Sequence, residues 1–227
     1  MSIRVIGFDA DDTLWINENY FREGERKFCA LMLPWHSEEK TMTILYNNEM
    51  DTLDIYGFGI KGFMLSMIET ASQIAKEELT TDIVNEIISI GKSMLRKPVE
   101  LFKNVASTLE VLKQKYRLVL VTKGDLLDQE RKLKKSGLEN YFHHIEVMSD
   151  KQESDYQQLI QHLDINAEEF LMIGNSVKSD VLPVLNLGGS AVHIPFHTTW
   201  LHEKADPIKH EKLRSLQSIT DLPDLLK

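Results

Sequence analysis

Asp9 and Asp11 stand two residues apart, directly after the apolar run Val5-Ile6-Gly7-Phe8. A short run of this kind reads as a buried strand, and residues i and i+2 of an extended chain project to the same side. Two carboxylates so placed repel each other and resist desolvation unless something positive lies beside them. A hard, oxygen-seeking divalent cation such as Mg²⁺ answers that need. With it in place, one carboxylate can attack a phosphorus atom while the other handles a proton. Thr13 adds a hydroxyl that can steady the turn. The plainer reading is a strand ending in a polar turn, where Asp is common. The segment Asp9-Ala10-Asp11-Asp12-Thr13 does not separate the two by itself.

Such side chains act only if a fold holds them, and the rest of the chain supplies one. From Pro98 onward apolar runs alternate with helical patterns. Strands are expected at Leu118–Val121, Ile145–Met148, Phe170–Ile173 and Ala191–Ile194, with helices between them. With the first strand this makes five, and the alternation predicts a doubly wound parallel sheet covered on both faces, an α/β fold. Residues 16–97 read differently. Ile60, Phe63, Met64, Met67, Ile68, Ala71, Ile74 and Ala75 recur at helical spacing, as do Ile83, Val84, Ile87, Ile88, Met94 and Leu95. Two further helices, Phe21–Leu33 and one opening at Ser37, complete a helical module. The expected division is therefore an α/β core of residues 1–15 and 98–227, with 16–97 inserted as a helical domain.

Ligands of open parallel sheets bind beyond the carboxyl ends of the strands, so those ends are the places to inspect. They carry Asp9, Asp11 and Thr13; then Thr122, Lys123, Gly124 and Asp125; then Lys151; then Gly174, Asn175, Ser176 and, further on, Asp180. Singly each is weak. Together and in order, this set resembles the haloacid dehalogenase-like hydrolase superfamily over the whole chain. The family's D-x-D-x-T motif is matched by Asp9, Asp11 and Thr13, its second-motif hydroxyl by Thr122, and its third-motif lysine by Lys151. Its acidic G-D-x-x-x-x-D motif is matched by Gly174, Asn175 and Asp180. A helical cap after the first motif is common in the family and would be the inserted module.

The resemblance implies an Mg²⁺-dependent phosphatase acting on a small phosphorylated metabolite. Asp9 would be the nucleophile, Asp11 the acid and base, and Asp9, Asp11, Asn175 and Asp180 the metal site. Thr122, Lys123, Gly124 and Lys151 would hold the phosphate. The glycine-rich segment Tyr56-Gly57-Phe58-Gly59-Ile60-Lys61-Gly62 would reach toward the substrate, with Tyr56 and Lys61 as contacts. Two positions depart from the pattern. Asn175 replaces an Asp, which keeps an oxygen donor but removes a charge, so metal binding is expected to weaken. Gln152 stands where a proline often follows the lysine.

Other readings remain open at this point: a phosphosugar mutase of the same fold, or a catalytically weak binding or regulatory member. A metal-independent dehalogenase does not call for Asp11. Asp12 and Asp125 read as turn or cap residues, and Cys29 as a buried thiol in an apolar stripe. His193, His197, His202 and Asp206 have neither the spacing of a helical pair nor that of a zinc knuckle. The net charge of −9 argues against nucleic acid or an anionic membrane as partner. No run approaches the roughly 20 apolar residues of a membrane span. A lone cysteine permits no internal disulfide, and the first strand starts too early for a signal peptide. A cytoplasmic monomer or homodimer is expected.

Overall fold

The computed structural model describes residues 3–198, 200–203, 205 and 208–227. They form two compact units. One comprises the described residues up to Glu18, Val99–Lys123, and the described residues from Gln129 onward; the other comprises Asn19–Pro98 with Gly124–Asp128.

The first unit is built on a six-stranded parallel sheet. Its strands are β1 (Val5–Phe8), β2 (Arg117–Lys123), β3 (His144–Met148), β4 (Phe170–Gly174), β5 (Ser190–His193) and β6 (Leu213–Ser215), in the order β3-β2-β1-β4-β5-β6. Successive side chains of each strand point to opposite faces of this sheet. Ile6, Phe8, Leu118, Leu120, Leu171 and Ile173 bury one face against α5 (Val105–Leu112) and Leu133. Val5, Val119, Val121, Phe170 and Met172 bury the other against α7 (Glu153–His162) and Val184 of α8 (Leu182–Asn186). Both faces are covered, so the runs are continuously apolar rather than half polar. The chain winds outward from β1 to β3, then returns to β4 on the other side of β1. The switch point of the fold is therefore at the end of β1, where Asp9 lies.

The sheet has one strand more than the sequence suggests. β6 pairs in parallel with β5 through Ala191↔Leu213. Its three residues, Leu213-Arg214-Ser215, are largely exposed and contain no apolar run to announce them.

The second unit is helical. Most of α1 (Glu18–Met32), with α2 (Glu38–Tyr56), α3 (Ile60–Ala75) and α4 (Thr81–Arg96), packs around Phe28, Met32, Leu45, Phe63, Met67, Ala71, Ile87 and Met94. Local chemistry sets the ends. Ser37 and Thr80 cap α2 and α4 by accepting from the backbone N–H of Lys40 and Ile83. Gly57 and Gly59 turn the chain between α2 and α3 at φ of 69° and 111°, in the region that favours glycine. Cys29 is buried, which pushes its thiol up to about 11. No helix among the described residues is long and apolar enough to cross a membrane.

Candidate active site

The ends of β1, β2 and β4 meet because their registers align. Phe8 is level with Leu120 on β2 and with Ile173 on β4, and the Asp9 N–H extends the ladder to the Ile173 carbonyl at 2.9 Å. Asp9 is thus held by backbone pairing before any side chain contributes.

Its carboxylate is then fixed from two sides. Lys151 Nζ donates to Asp9 Oδ1 at 2.5 Å and to Asp180 Oδ1 at 2.7 Å. The Thr13 hydroxyl donates to Asp9 Oδ2 at 2.8 Å and lies 3.3 Å from Asn175 Oδ1. Lys151, Asp9 and Asp180 are all buried. Two carboxylates share one ammonium here, so the cluster keeps an excess negative charge away from water. Burial pushes Asp9 up to about 7, although Lys151 pulls it the other way. For Lys151 burial works toward neutrality, but Asp180 and Asp9 outweigh it and hold the ammonium well above its ordinary range.

Asp180 reaches the cluster through an unusual backbone. After β4 the chain passes into a π-helical turn, Val177–Val181, whose start is capped by Ser176 Oγ accepting from the Ser179 N–H. Single π turns of this kind recur at functional sites. The turn brings Asp180 Oδ2 onto the Ser176 N–H at 3.0 Å and packs its carboxylate against Gly174. A Cβ on Gly174 would lie 2.1 Å from Asp180 Oδ2 and 2.6 Å from Asp180 Cβ. Gly174→Ala should therefore displace Asp180, costing about 1–3 kcal/mol of stability together with most of the activity. Thermal unfolding of the variant measures the first effect; an unchanged Tm and rate would show that the site relaxes around the methyl group.

Asp11 occupies a different environment. Trp15 Nε1 donates to its Oδ1 at 2.6 Å, Lys132 Nζ to its two oxygens at 2.7 and 2.6 Å, and Gln129 Nε2 to its Oδ2 at 2.9 Å. The two aspartates are therefore not a bare pair waiting for one cation, because Lys132 already meets the charge of Asp11. The neighbouring Asp12, at φ of 62°, turns away and accepts from the N–H groups of Asn17 and Glu18, capping α1. Asp125 likewise caps the helix after β2 (α6, Leu126–Ser136) by accepting from the Asp128 N–H at 3.0 Å.

Thr122 is buried at the end of β2, and Gly124 follows at φ of 129°. Lys123 donates to Ser179 Oγ at 2.9 Å and forms an ion pair with Glu203. Glu203 also accepts from Ser176 and, at 2.7 Å, from Ser179. Burial works against the charge of Glu203, but Lys123 and these hydroxyls bring it down to about 2. Tyr56 and Lys61 belong to the helical unit, where they pair with Glu69 and, at 2.9 Å, with Asp125. His193 donates to the Asn175 carbonyl at 2.9 Å and His202 meets Lys178, while Asp206 lies outside the described residues. Gln152, in the place of the frequent proline, N-caps α7 in a capping box with Asp155.

Gln129, Lys132, Ser179 and Glu203 are among the polar residues that sequence reading did not single out. Gln129 and Lys132 are three apart on α6, which follows β2 directly, so their shared face toward the strand ends was the available signal. Glu203 lies in a charged tail with nothing to distinguish it.

The oxygen donors beside Asp9 are thus its own carboxylate, the carboxylate of Asp180 and the Asn175 amide. Hard oxygen donors with surplus buried negative charge fit an ion such as Mg²⁺.

Comparison with known proteins bears on the family and the fold. A family model described as haloacid dehalogenase-like hydrolase matches residues 3–188. The human N-acylneuraminate-9-phosphatase is 24% identical, over 99% of this chain and 94% of that protein. A glyceraldehyde 3-phosphate phosphatase of Pyrococcus furiosus is 22% identical, over 99% and 92%. A haloacid dehalogenase-like family hydrolase from Xanthomonas campestris superposes with a TM-score of 0.88 at 36% identity, covering 99% of this chain and 91% of that one.

Proposed function

The chain belongs to the haloacid dehalogenase-like hydrolases and is a phosphoric monoester hydrolase of that family, and from this premise we propose that it hydrolyses a small phosphorylated metabolite through an aspartyl-phosphate on Asp9. The observation that carries the reading is the second carboxylate, Asp11, held in place by Trp15, Gln129 and Lys132. Capture of an alkyl group by a carboxylate needs no second acid at that position. Hydrolysis of a phosphate ester uses such a group twice, first as an acid and then as a base.

In the first step an oxygen of Asp9 attacks phosphorus and the bond from phosphorus to the ester oxygen breaks. Asp11, entering this step in its protonated form rather than as the carboxylate that Lys132 meets, supplies the proton that the departing oxygen takes up. In the second step Asp11 accepts a proton from water as that water attacks phosphorus, and Asp9 leaves with its oxygen. Lys151, the Thr122 hydroxyl and backbone N–H groups near Lys123 and Gly124 hold the phosphoryl oxygens, which spread charge in the transition state. Mg²⁺, held by Asp9, Asn175 and Asp180, would offset the repulsion between an anionic nucleophile and an anionic substrate. The helical unit would act as a cap, with Tyr56 and Lys61 contributing to the choice of substrate.

The test is phosphate release from a panel of phosphorylated sugars, sugar acids and trioses, with Mg²⁺ and with chelator. Release from one group of esters, dependent on Mg²⁺, is expected. A chain that turns over neither the panel nor a simple aryl phosphate in the presence of Mg²⁺ would overturn the reading.

A further inference from the structure

The opposite end of β3 carries a second group of ligand-type side chains. His144 and Glu146 are two apart on this strand and so share one face of it. His162 is the last residue of α7, which packs on the same side of the sheet. The three side chains converge. His144 Nε2 lies 2.8 Å from Glu146 Oε2, and the imidazole rings of His144 and His162 are 5.5 Å apart between centroids. One ligand atom from each residue lies within 4.8 Å of the other two. All three residues retain contact with solvent, which leaves an ion a route in. All three also belong to the sheet-bearing unit, so their arrangement depends on one body alone.

We propose that His144, Glu146 and His162 form a binding site for a divalent transition metal of the Zn²⁺ class, separate from the Asp9 cluster. The donor set decides the class of ion. Two imidazoles and one carboxylate suit Zn²⁺, Ni²⁺ or Cu²⁺, whereas Mg²⁺ prefers oxygen alone. Bonds of about 2.0–2.2 Å to such an ion put tetrahedral donors roughly 3.3–3.6 Å apart, a spacing these side chains reach by small rotations. The fourth position would be taken by water. The site is distinct from the catalytic rim because β3 runs between them: its other end, Met148, leads to Lys151, about 13 Å along the strand at the usual rise per residue. Its physical consequence is a clamp. β3 is an outer strand of the sheet, and an ion shared with His162 would tie that edge to the last turn of α7, stabilising the folded chain by mass action.

The experiment is titration of the full chain, stripped with chelator, with Zn²⁺ in the presence of millimolar Mg²⁺ to occupy oxygen-only sites. Calorimetry and thermal unfolding are the readouts. The parent is expected to take up a single equivalent of Zn²⁺ and to gain Tm. Either His144→Ala or His162→Ala should weaken that uptake by at least about tenfold, the smallest loss usual even for a group supporting a ligand, and remove the gain in Tm. Their circular dichroism and their Mg²⁺-dependent turnover without Zn²⁺ should match the parent. Because His162 is exposed, His162→Gln serves as a second variant should a truncated one fold poorly. The proposal is overturned if the parent shows no uptake tighter than about 100 μM. It is equally overturned if uptake persists in both histidine variants, or if it is removed by Asp180→Asn instead.

Discussion

Asp9→Asn abolishes turnover, by a factor on the order of 10⁴–10⁶, and leaves the chain folded. The amide cannot serve as the attacking oxygen, so no aspartyl-phosphate forms. The packing around it survives, because Asp9 is held first by its backbone N–H on Ile173 and its side chain occupies almost the same volume. Stability should in fact rise when divalent cations are withheld. Burial pushes Asp9 up to about 7, against 3.8 for an ordinary Asp. The unfolded chain therefore gives up this proton at lower pH than the folded one, and the site costs progressively more stability as pH rises from about 4 to about 7. The neutral amide removes that cost and leaves Lys151 paired with Asp180 alone. At pH 8 in chelator the variant should melt above the parent, and the gap should narrow at pH 4, where Asp9 carries its proton in the fold. Activity within a few fold of the parent would sink the covalent mechanism. A variant that melts below the parent at pH 8 would show that the Asp9–Lys151 ion pair outweighs the burial of its charge.

How far the site could be read from sequence depends on whether a residue's position is set locally. Asp9, Thr122, Lys151 and Asn175 each follow an apolar run closely, and a parallel sheet brings all such ends to one rim. The strands β1, β2 and β4 were legible from runs such as Leu118–Val121, which have no polar interruption, and β3 and β5 from Ile145–Met148 and Ala191–Ile194, where Glu146 and His193 alone break the apolar run. Sequence says less where a tertiary contact decides. Asp9 and Asp11 look like one charge pair in sequence, yet Lys132, 121 residues away, gives Asp11 an ammonium of its own. Nothing local marks it among Arg131, Lys132, Lys134 and Lys135 of the same helix. Lys123 was legible as a neighbour of the motif hydroxyl. Its engagement with Glu203 and Ser179 depends on a tail that returns across 80 residues. The backbone was least legible of all. No sequence rule announces the π turn Val177–Val181, although it determines how Asp180 meets Lys151 and why Gly174 tolerates no side chain.

Asp11→Asn separates the two halves of the reaction, which makes it the more discriminating of the large-effect variants. The attack by Asp9 needs a proton for the departing oxygen only when that oxygen is a poor leaving group. With an aryl phosphate, whose phenolate leaves unaided, the variant should still form the aspartyl-phosphate. Its breakdown has no such escape, since water attacks only as it gives up a proton and an amide cannot accept one. Breakdown is expected to slow by about 10²–10⁴, so stopped-flow traces should show a burst of phenolate equal to the enzyme and then almost no turnover. With an alkyl phosphate both steps should fail and no burst should appear. The surroundings of Asp11 sharpen this expectation. The carboxylate accepts from Trp15, Gln129 and Lys132 together, whereas an amide has one acceptor and would turn its NH₂ toward one of these donors. Local order around Asp11 should therefore loosen as well, and solvent quenching of Trp15 fluorescence reports that independently of chemistry. Rapid-quench measurement showing intermediate breakdown at the parent rate would refute the role of Asp11 as the base, even if the variant turned over slowly for other reasons.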